Sequence, residues 1–344
     1  MSLTGEQIAD LVMSTQRDLG RNKWTDLSHD LQDFVVMPSI LKKERIKFSG
    51  STGSEFRVQT ATNGSARMTQ LYEVDTVNVP DTLTKGYVPW THATCNYGYD
   101  ERELEMNASE YKIVDLVKTR RISALGDLAE LLETKFWNAP TGTSDDKTPY
   151  GVPYYVVKAS SATGGFNGGA PSGHTTVAAI SPTTYTRWKN WNVNYTTVAK
   201  TDFVKKVRES LVKTQFKSPV PHPSTDFGSA RRMIYTNYDV LQALETLLEQ
   251  QNDNLGNDLA SKDGMTTFRR IPVMYVPYLD ADTSNPAYGI DWSTFTTMFL
   301  RGEYLKESPP TDTAAHRVKN VYVDCTFNWR CHDRRRNWVV SIAA

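Results

Sequence analysis

The alternation of apolar and polar positions is clearest near the C-terminal end. Val321, Val323, Cys325, Phe327 and Trp329 alternate with Tyr322, Asp324, Thr326, Asn328 and Arg330, the period-two signature of a strand with one buried face. Residues 333–336 then read as a turn and Trp338, Val340 and Ile342 as a returning strand, so a terminal β-hairpin is expected. A period near 3.6 runs through 109–137, where Val114, Val117, Arg121, Leu125, Leu128 and Leu132 fall on one stripe. Ser109 caps the start of this helix and Pro140 follows its end. Its length, about 43 Å at roughly 1.5 Å per residue, suits a spine.

The remaining pattern is less regular. Residues 4–19 predict a short amphipathic helix through Ile8, Leu11, Val12 and Leu19, and 24–41 an extended arm interrupted by Pro38. Between 46 and 79, Phe56 and Val58 alternate with Arg57 and Gln59, and Met68, Tyr72 and Val74 alternate with Thr69, Glu73 and Asp75. Asn63-Gly64 between them is a hairpin turn signal. Two arms with so few large apolar groups are marginal alone in water, so this hairpin needs a neighbour to lie on. Glu101, Glu103 and Glu105 alternate as if on a strand, and Tyr154 to Val157 mark another. The glycine-rich stretch within 138–176 reads as a surface loop, because it lacks the Lys-Ser/Thr ending of a phosphate loop. From 180 to 305, helices at 202–216 and 238–250 alternate with strands at 233–236 and 271–279, the rhythm of an α/β layer.

Composition narrows the function more by exclusion than by assertion. Lys plus Arg number 39 and Asp plus Glu 39, so the basic excess of a dedicated nucleic-acid-binding domain is missing. That balance also leaves self-association unopposed by long-range repulsion. The three cysteines, Cys95, Cys325 and Cys331, are odd in number and scattered, and suggest no disulfide framework. No secretory leader and no run of about 20 apolar residues is found, so no membrane partner is expected.

Candidate chemistry is sparse. His92-x-x-Cys95, the adjacent Cys331-His332 and His316 could be gathered into a metal site, but adjacent Cys-His is a poor chelating spacing and no metal or other cofactor is expected. No Gly-x-Ser-x-Gly elbow is present, and the alternating glutamates fit a solvated or intersubunit charged face better than paired catalytic carboxylates. No catalytic residue is therefore assigned. Basic pairs occur at Arg120-Arg121, Arg231-Arg232 and Arg269-Arg270, with a triple at Arg334, Arg335 and Arg336. The triple is the candidate DNA-facing set, through nonspecific phosphate contact. Arg121, on the apolar stripe, is expected as a buried partner of a carboxylate. Trp24, Phe34, Phe56, Arg57, Arg67 and Tyr72 are the candidate subunit-interface residues.

The order of these parts resembles the Hong Kong 97-type major capsid proteins of tailed bacteriophages. Local wording agrees at Tyr235-Thr-Asn237, at Phe268-Arg-Arg-Ile-Pro-Val273 and at Gly289-Ile-Asp-Trp-Ser293. The resemblance implies an α+β fold with five parts: an N-terminal arm at 1–45, an extended hairpin (the E-loop) at 46–85, a peripheral β-domain at 86–176 carrying the spine helix 109–137, an axial α/β domain at 177–305, and return strands of the peripheral domain at 306–344. It implies a structural protein rather than an enzyme, self-assembling as homo-pentamers and homo-hexamers into an icosahedral head around double-stranded DNA, after synthesis in the host bacterial cytoplasm. Implied partners are a separate scaffolding protein, a portal protein at one vertex and a decoration protein. The separate scaffold follows because the E-loop is reached within fifty residues of Met1, and the hairpin tip, 60–67, lacks the lysine that crosslinking relatives use. The competing readings are a β-rich hydrolase with an unidentified site, or another virion component of the tail or head-completion type.

Overall fold

The computed structural model describes residues 35–41, 46–62, 64, 66–74, 81–106, 116–215, 232–252, 266–314 and 316–343. The helix read at 4–19, Trp24, Phe34, the Asn63 turn position and the Ser109 cap lie outside the described residues. In chain order the first elements are a helical turn α1 (Met37–Ile40), β1 (Ile46–Ser49), β2 (Gly53–Gln59), β3 (Leu83–Pro89) and β4 (Thr91–Asp100). Then come α2 (Glu101–Met106), the long helix α3 (Leu116–Phe136), α4 (Val152–Tyr155), β5 (Gly165–Gly168) and β6 (Asn190–Tyr195). The middle continues with α5 (Phe203–Lys213), β7 (Arg232–Thr236), α6 (Tyr238–Asn252), β8 (Thr267–Phe268) and β9 (Ile271–Tyr275). The last strands are β10 (Ala287–Asp291), β11 (Phe295–Leu300), β12 (Lys306–Glu307), β13 (Thr311–Asp312), β14 (Val318–Cys331) and β15 (Trp338–Ile342).

Two sheets organise these elements. In the first, β1 runs parallel to β11, β11 pairs antiparallel with β14, and β14 also takes β4, β12 and β13. The second has the order β5-β6-β15-β10-β7-β9-β8, with β15–β6 and β7–β9 parallel. One face of the second sheet is covered by α5 and α6, whose Phe203, Val207, Leu211, Val240 and Leu244 pack with Val193, Ile234, Val273 and Val340. Its other face shares a core with the first sheet and the end of α3. Phe136 is the hub there: it stacks on Trp292 at 5.7 Å and meets the edges of Trp329 and Phe295 at 5.1 and 6.1 Å.

The helical stripe is realised where it meets that core. Leu128 and Leu132 are buried, whereas Arg121 is half exposed and pairs with Glu307 at 2.6 Å. The carboxylate partner expected for Arg121 is found, but the burial expected with it is not: Arg121 meets Glu307 of β12 at the surface. The described helix, 21 residues, spans about 32 Å.

Several expectations are corrected. Residues 101–106 and 152–155 are helical turns, not strands. Glu103 is held by a two-point ion pair with Arg120, at 2.5 and 3.2 Å. Pro153 sits in the first turn of α4, where a proline's fixed φ and missing N–H are tolerated. Pro38 likewise begins α1 rather than extending an arm. The hairpin closes differently from its sequence reading. β2 pairs with β3, Gly53 opposite Pro89 through Gln59 opposite Leu83, so Met68 to Val74 is not the return strand but part of a long tip.

The terminal hairpin is also absent, since β14 and β15 belong to different sheets. The expected inward row of β14 is buried throughout, from Val321 at 5% exposed to Trp329 at 1%. Beyond residue 325 its polar row is buried as well, because the base of the β2–β3 hairpin lies over it: Asn328 donates to Pro89 O at 2.8 Å and Arg330 to Ser54 Oγ at 3.0 Å.

β10 crosses Trp338 of β15 with Gly289 opposite the indole. A Cβ at Gly289 would lie 2.0 Å from Trp338 Cε2, and Trp338 is itself buried. Gly289→Ala is therefore expected to destabilise the chain by about 1–3 kcal/mol, read as a fall in the thermal unfolding midpoint. Gly50→Ala, where a Cβ meets nothing within 4 Å, serves as the neutral comparison.

Candidate functional site

Two regions gather the residues singled out from the sequence: the β2–β3 hairpin, and the place where the chain passes between its sheets. At the hairpin base, Phe56 is 7% exposed and packs within its own chain. Its ring lies 6.3 Å from Trp188 and 5.8 Å from His332, with the Arg330 guanidinium 5.4 Å away. Gly86 opposite makes this possible, for a Cβ there would come within 2.4 Å of the Phe56 ring. Phe56 is thus an internal anchor rather than a free contact for another subunit.

Arg330 donates to Ser54 Oγ and Glu55 O and approaches His332 Nε2 at 3.1 Å. Burial, then the neighbouring charges of Arg330 and Lys47, push the His332 imidazole down to about 3. Its Nε2 therefore accepts from the guanidinium, and the neutral ring carries its proton on Nδ1. The hairpin is fastened further by Tyr87 N–H donating to Ala178 O at 3.0 Å.

Past Gln59 and Leu83 the hairpin leaves this support. Met68, Leu71, Tyr72 and Val74 are 84–100% exposed. They are held in a compact turn: Tyr72 takes a left-handed φ of 65°, and Glu73 N–H donates to Gln70 O at 3.3 Å. Gln70 N–H in turn donates to the Glu73 carboxylate at 3.0 Å, and Arg67 to Val74 O at 3.2 Å. Arg67 is exposed within this turn, and Arg57 is exposed on β2. Four large apolar groups on an ordered turn form the candidate interaction surface. Of the interface candidates, Arg67 and Tyr72 lie on this turn.

Arg334 and Arg336 of the arginine triple are buried and not placed to meet DNA. Residues 331–337 carry the chain from β14 to β15, beside the step at 291–295 that carries it from β10 to β11. Asn337 ties the two passages, accepting from Asp291 N–H at 2.8 Å and donating to Thr294 Oγ1 at 3.0 Å. Arg334 is 0% exposed. Its guanidinium donates to Tyr155 O and Trp188 O at 2.7 Å, to Gly168 O and Gly169 O at 3.2 and 2.8 Å, and to Asn190 Oδ1 at 3.3 Å.

Burial lowers the Arg334 pKa to about 10, which leaves it charged at neutral pH. Arg336 is 9% exposed, with Nη1 3.6 Å from Asp291, and Arg335 is clasped by Asp333 at 3.0 Å. Arg334 is corrected from phosphate contact to internal donor, because the segments at Tyr155, Gly168-Gly169 and Trp188 leave carbonyl oxygens that a long multi-donor side chain reaches, and Arg336 is likewise buried.

Sequence reasoning missed Glu133, which is 1% exposed on α3. Its carboxylate accepts the N–H groups of Val36 and Met37 at 3.2 and 2.8 Å, fixing α1 against the long helix. Burial pushes its pKa up against those donors. One polar residue inside a helical stripe gives no signal of such a role. Among the described residues no three of His, Cys, Asp or Glu come together as metal ligands, and no helix is long and apolar enough to cross a membrane. Burial raises the Cys325 and Cys331 thiols to about 11 and about 12, which makes them poor nucleophiles and ligands.

The overall fold is found in solved structures. The capsid of a native GTA particle matches with a TM-score of 0.62 at 13% identity, over 94% of this chain and 94% of that one. The chain has a tailed-phage capsid fold. The capsid of cyanophage A-1(L) gives the same fold at a TM-score of 0.61 and 15% identity, over 95% of this chain and 98% of that one. A Mycobacterium phage Bobi structure matches over the full length of both chains, at a TM-score of 0.53 and 10% identity. No protein-family model and no curated protein matches the sequence. The capsid fold is thus shared at 10–15% sequence identity.

Proposed function

We propose that the protein is a major capsid protein: a structural, non-enzymatic subunit that assembles as pentamers and hexamers into an icosahedral phage head around double-stranded DNA. The observation that carries this reading is the agreement with capsid folds over 94% or more of the chain, with no large region left over to hold another activity. The exposed tip at 66–74 supports it, because a monomer leaves Met68, Leu71, Tyr72 and Val74 in water, whereas a neighbouring subunit would bury them.

In this reading the β2–β3 hairpin is the E-loop, α3 the spine, the first sheet the peripheral layer and the second sheet with α5 and α6 the axial layer. The terminal strand β15 then belongs to the axial layer rather than to the peripheral return. A scaffolding protein, a portal protein and a decoration protein would be its partners in the virion. Arg334 and Arg336 being internal, any DNA contact would fall to other residues.

The test is light scattering with negative-stain microscopy of the purified full chain, alone and co-expressed with its neighbouring reading frames. Rings of five or six, or closed shells, are expected. A monomer or dimer under every condition would overturn the reading.

A further inference from the structure

A groove of about 310 Å³ opens between α5 and α6 at the end where β8 packs. Its floor is apolar, made by Val204, Leu244 and Phe268. Lys200, Arg208 and Arg269 also line it, no carboxylate does among the described residues, and none of the three pairs with a described carboxylate. A second observation lies at the rim. Arg269 and Arg270 have φ of 50° and 66° and form the two-residue turn that sets Phe268 opposite Ile271. Such a turn favours asparagine and glycine, whose backbones enter the left-handed region at little cost. Two arginines held there bear steric strain, and strain of this kind gathers where a side chain is needed for contact.

The opposite end of α6 has the complementary chemistry. Tyr238 is 53% exposed beside Tyr275, with ring centres 6.0 Å apart. Asp239 and Asp280 are exposed next to it, Asp280 accepting from Tyr238 N–H at 2.9 Å. Nine residues of helix separate Tyr238 from Leu247, about 14 Å. One helix therefore carries an acidic, aromatic knob at its start and a basic, apolar socket near its end.

We propose that the groove between α5 and α6 receives the acidic, tyrosine-bearing start of α6 from a second copy of this chain. The inference rests on the capsid-subunit reading and adds to it the residues of one contact. Knob and socket lie on different surfaces of the same chain, so the contact is head to tail, and repetition closes a ring where the rotation permits. Tyr238 would enter over Leu244 and Phe268, with Asp239 and Asp280 facing Lys200, Arg208 and Arg269. Because the matched charges are exposed in the free subunit, they add orientation and selectivity without weakening the monomer.

The test uses the full chain carrying Arg208→Glu, Asp239→Arg, or both. Each single variant should raise the concentration needed for rings or shells by about tenfold or more, since like charges then face each other. The double variant should return it close to wild type. Thermal unfolding of the unassembled variants should be unchanged, which separates lost contact from lost fold. Single variants that assemble as wild type, or a double variant no better than the singles, would overturn this contact while wild-type assembly leaves the capsid reading standing. A wild-type chain that forms neither rings nor shells would instead overturn the capsid reading itself.

Discussion

Arg334→Met is expected to lower the stability of the subunit by about 3–5 kcal/mol, because several buried acceptors lose their donor at about 1–3 kcal/mol each. Methionine keeps the stem of the side chain and removes every donor. Tyr155 O, Trp188 O and Gly168 O are then left without the guanidinium in a buried site, and Gly169 O in a part-buried one. An unsatisfied buried acceptor costs about 1–3 kcal/mol, so the loss is a large part of the ~5–15 kcal/mol that ordinarily holds a domain. The measurement is the denaturant midpoint of the unassembled subunit.

Arg335→Ala gives the contrast. Arg335 is partly exposed and pairs with Asp333, and such a pair is worth about 1 kcal/mol or less. Comparable effects of the two substitutions on folding would show that the buried network is not what the triple serves.

The second large effect concerns assembly and spares the fold. Leu71→Ser with Tyr72→Ser should leave the denaturant midpoint within about 0.5 kcal/mol of wild type, because these side chains are 84% and 96% exposed and touch little. Burying each against a neighbour would contribute about 1.5–3 kcal/mol, so losing both should raise the assembly concentration by at least about a hundredfold. Sedimentation of the variant over a concentration series measures this. Phe56→Ala should behave in the opposite sense, destabilising the subunit, because its ring is packed between Trp188, His332 and Arg330. If the tip variant assembles at wild-type concentrations, the exposed turn is not a subunit contact.

The two predictions separate residues that resemble each other in the sequence. Arg334 and Arg335 are adjacent, and Phe56 and Tyr72 both read as aromatic positions of one hairpin. In the folded chain one member of each pair is inside and the other faces solvent. Composition and local pattern carry no information on which is which.

What the sequence determined by itself is local. The inward row of β14, the stripe through Leu128 and Leu132, and the amphipathic helices α5 and α6 were legible because a strand or helix needs one apolar face at a fixed period. The order of elements along the chain was legible for the same reason, and with it the resemblance to capsid proteins. Tertiary structure decided everything that depends on distant partners. The return strand of the hairpin is Leu83–Pro89, whose alternation is weak and which forms by pairing with β2, not by its own pattern. β14 and β15 look like a hairpin across a short turn, yet they join different sheets because Trp338 to Ile342 find parallel partners in Trp191 to Tyr195. Arg334 is buried because its acceptors lie 144 to 179 residues away in sequence. Periodicity reports which face of an element is apolar; which other element will cover that face, and which polar side chains the covering will enclose, follows only from packing between segments far apart in the chain.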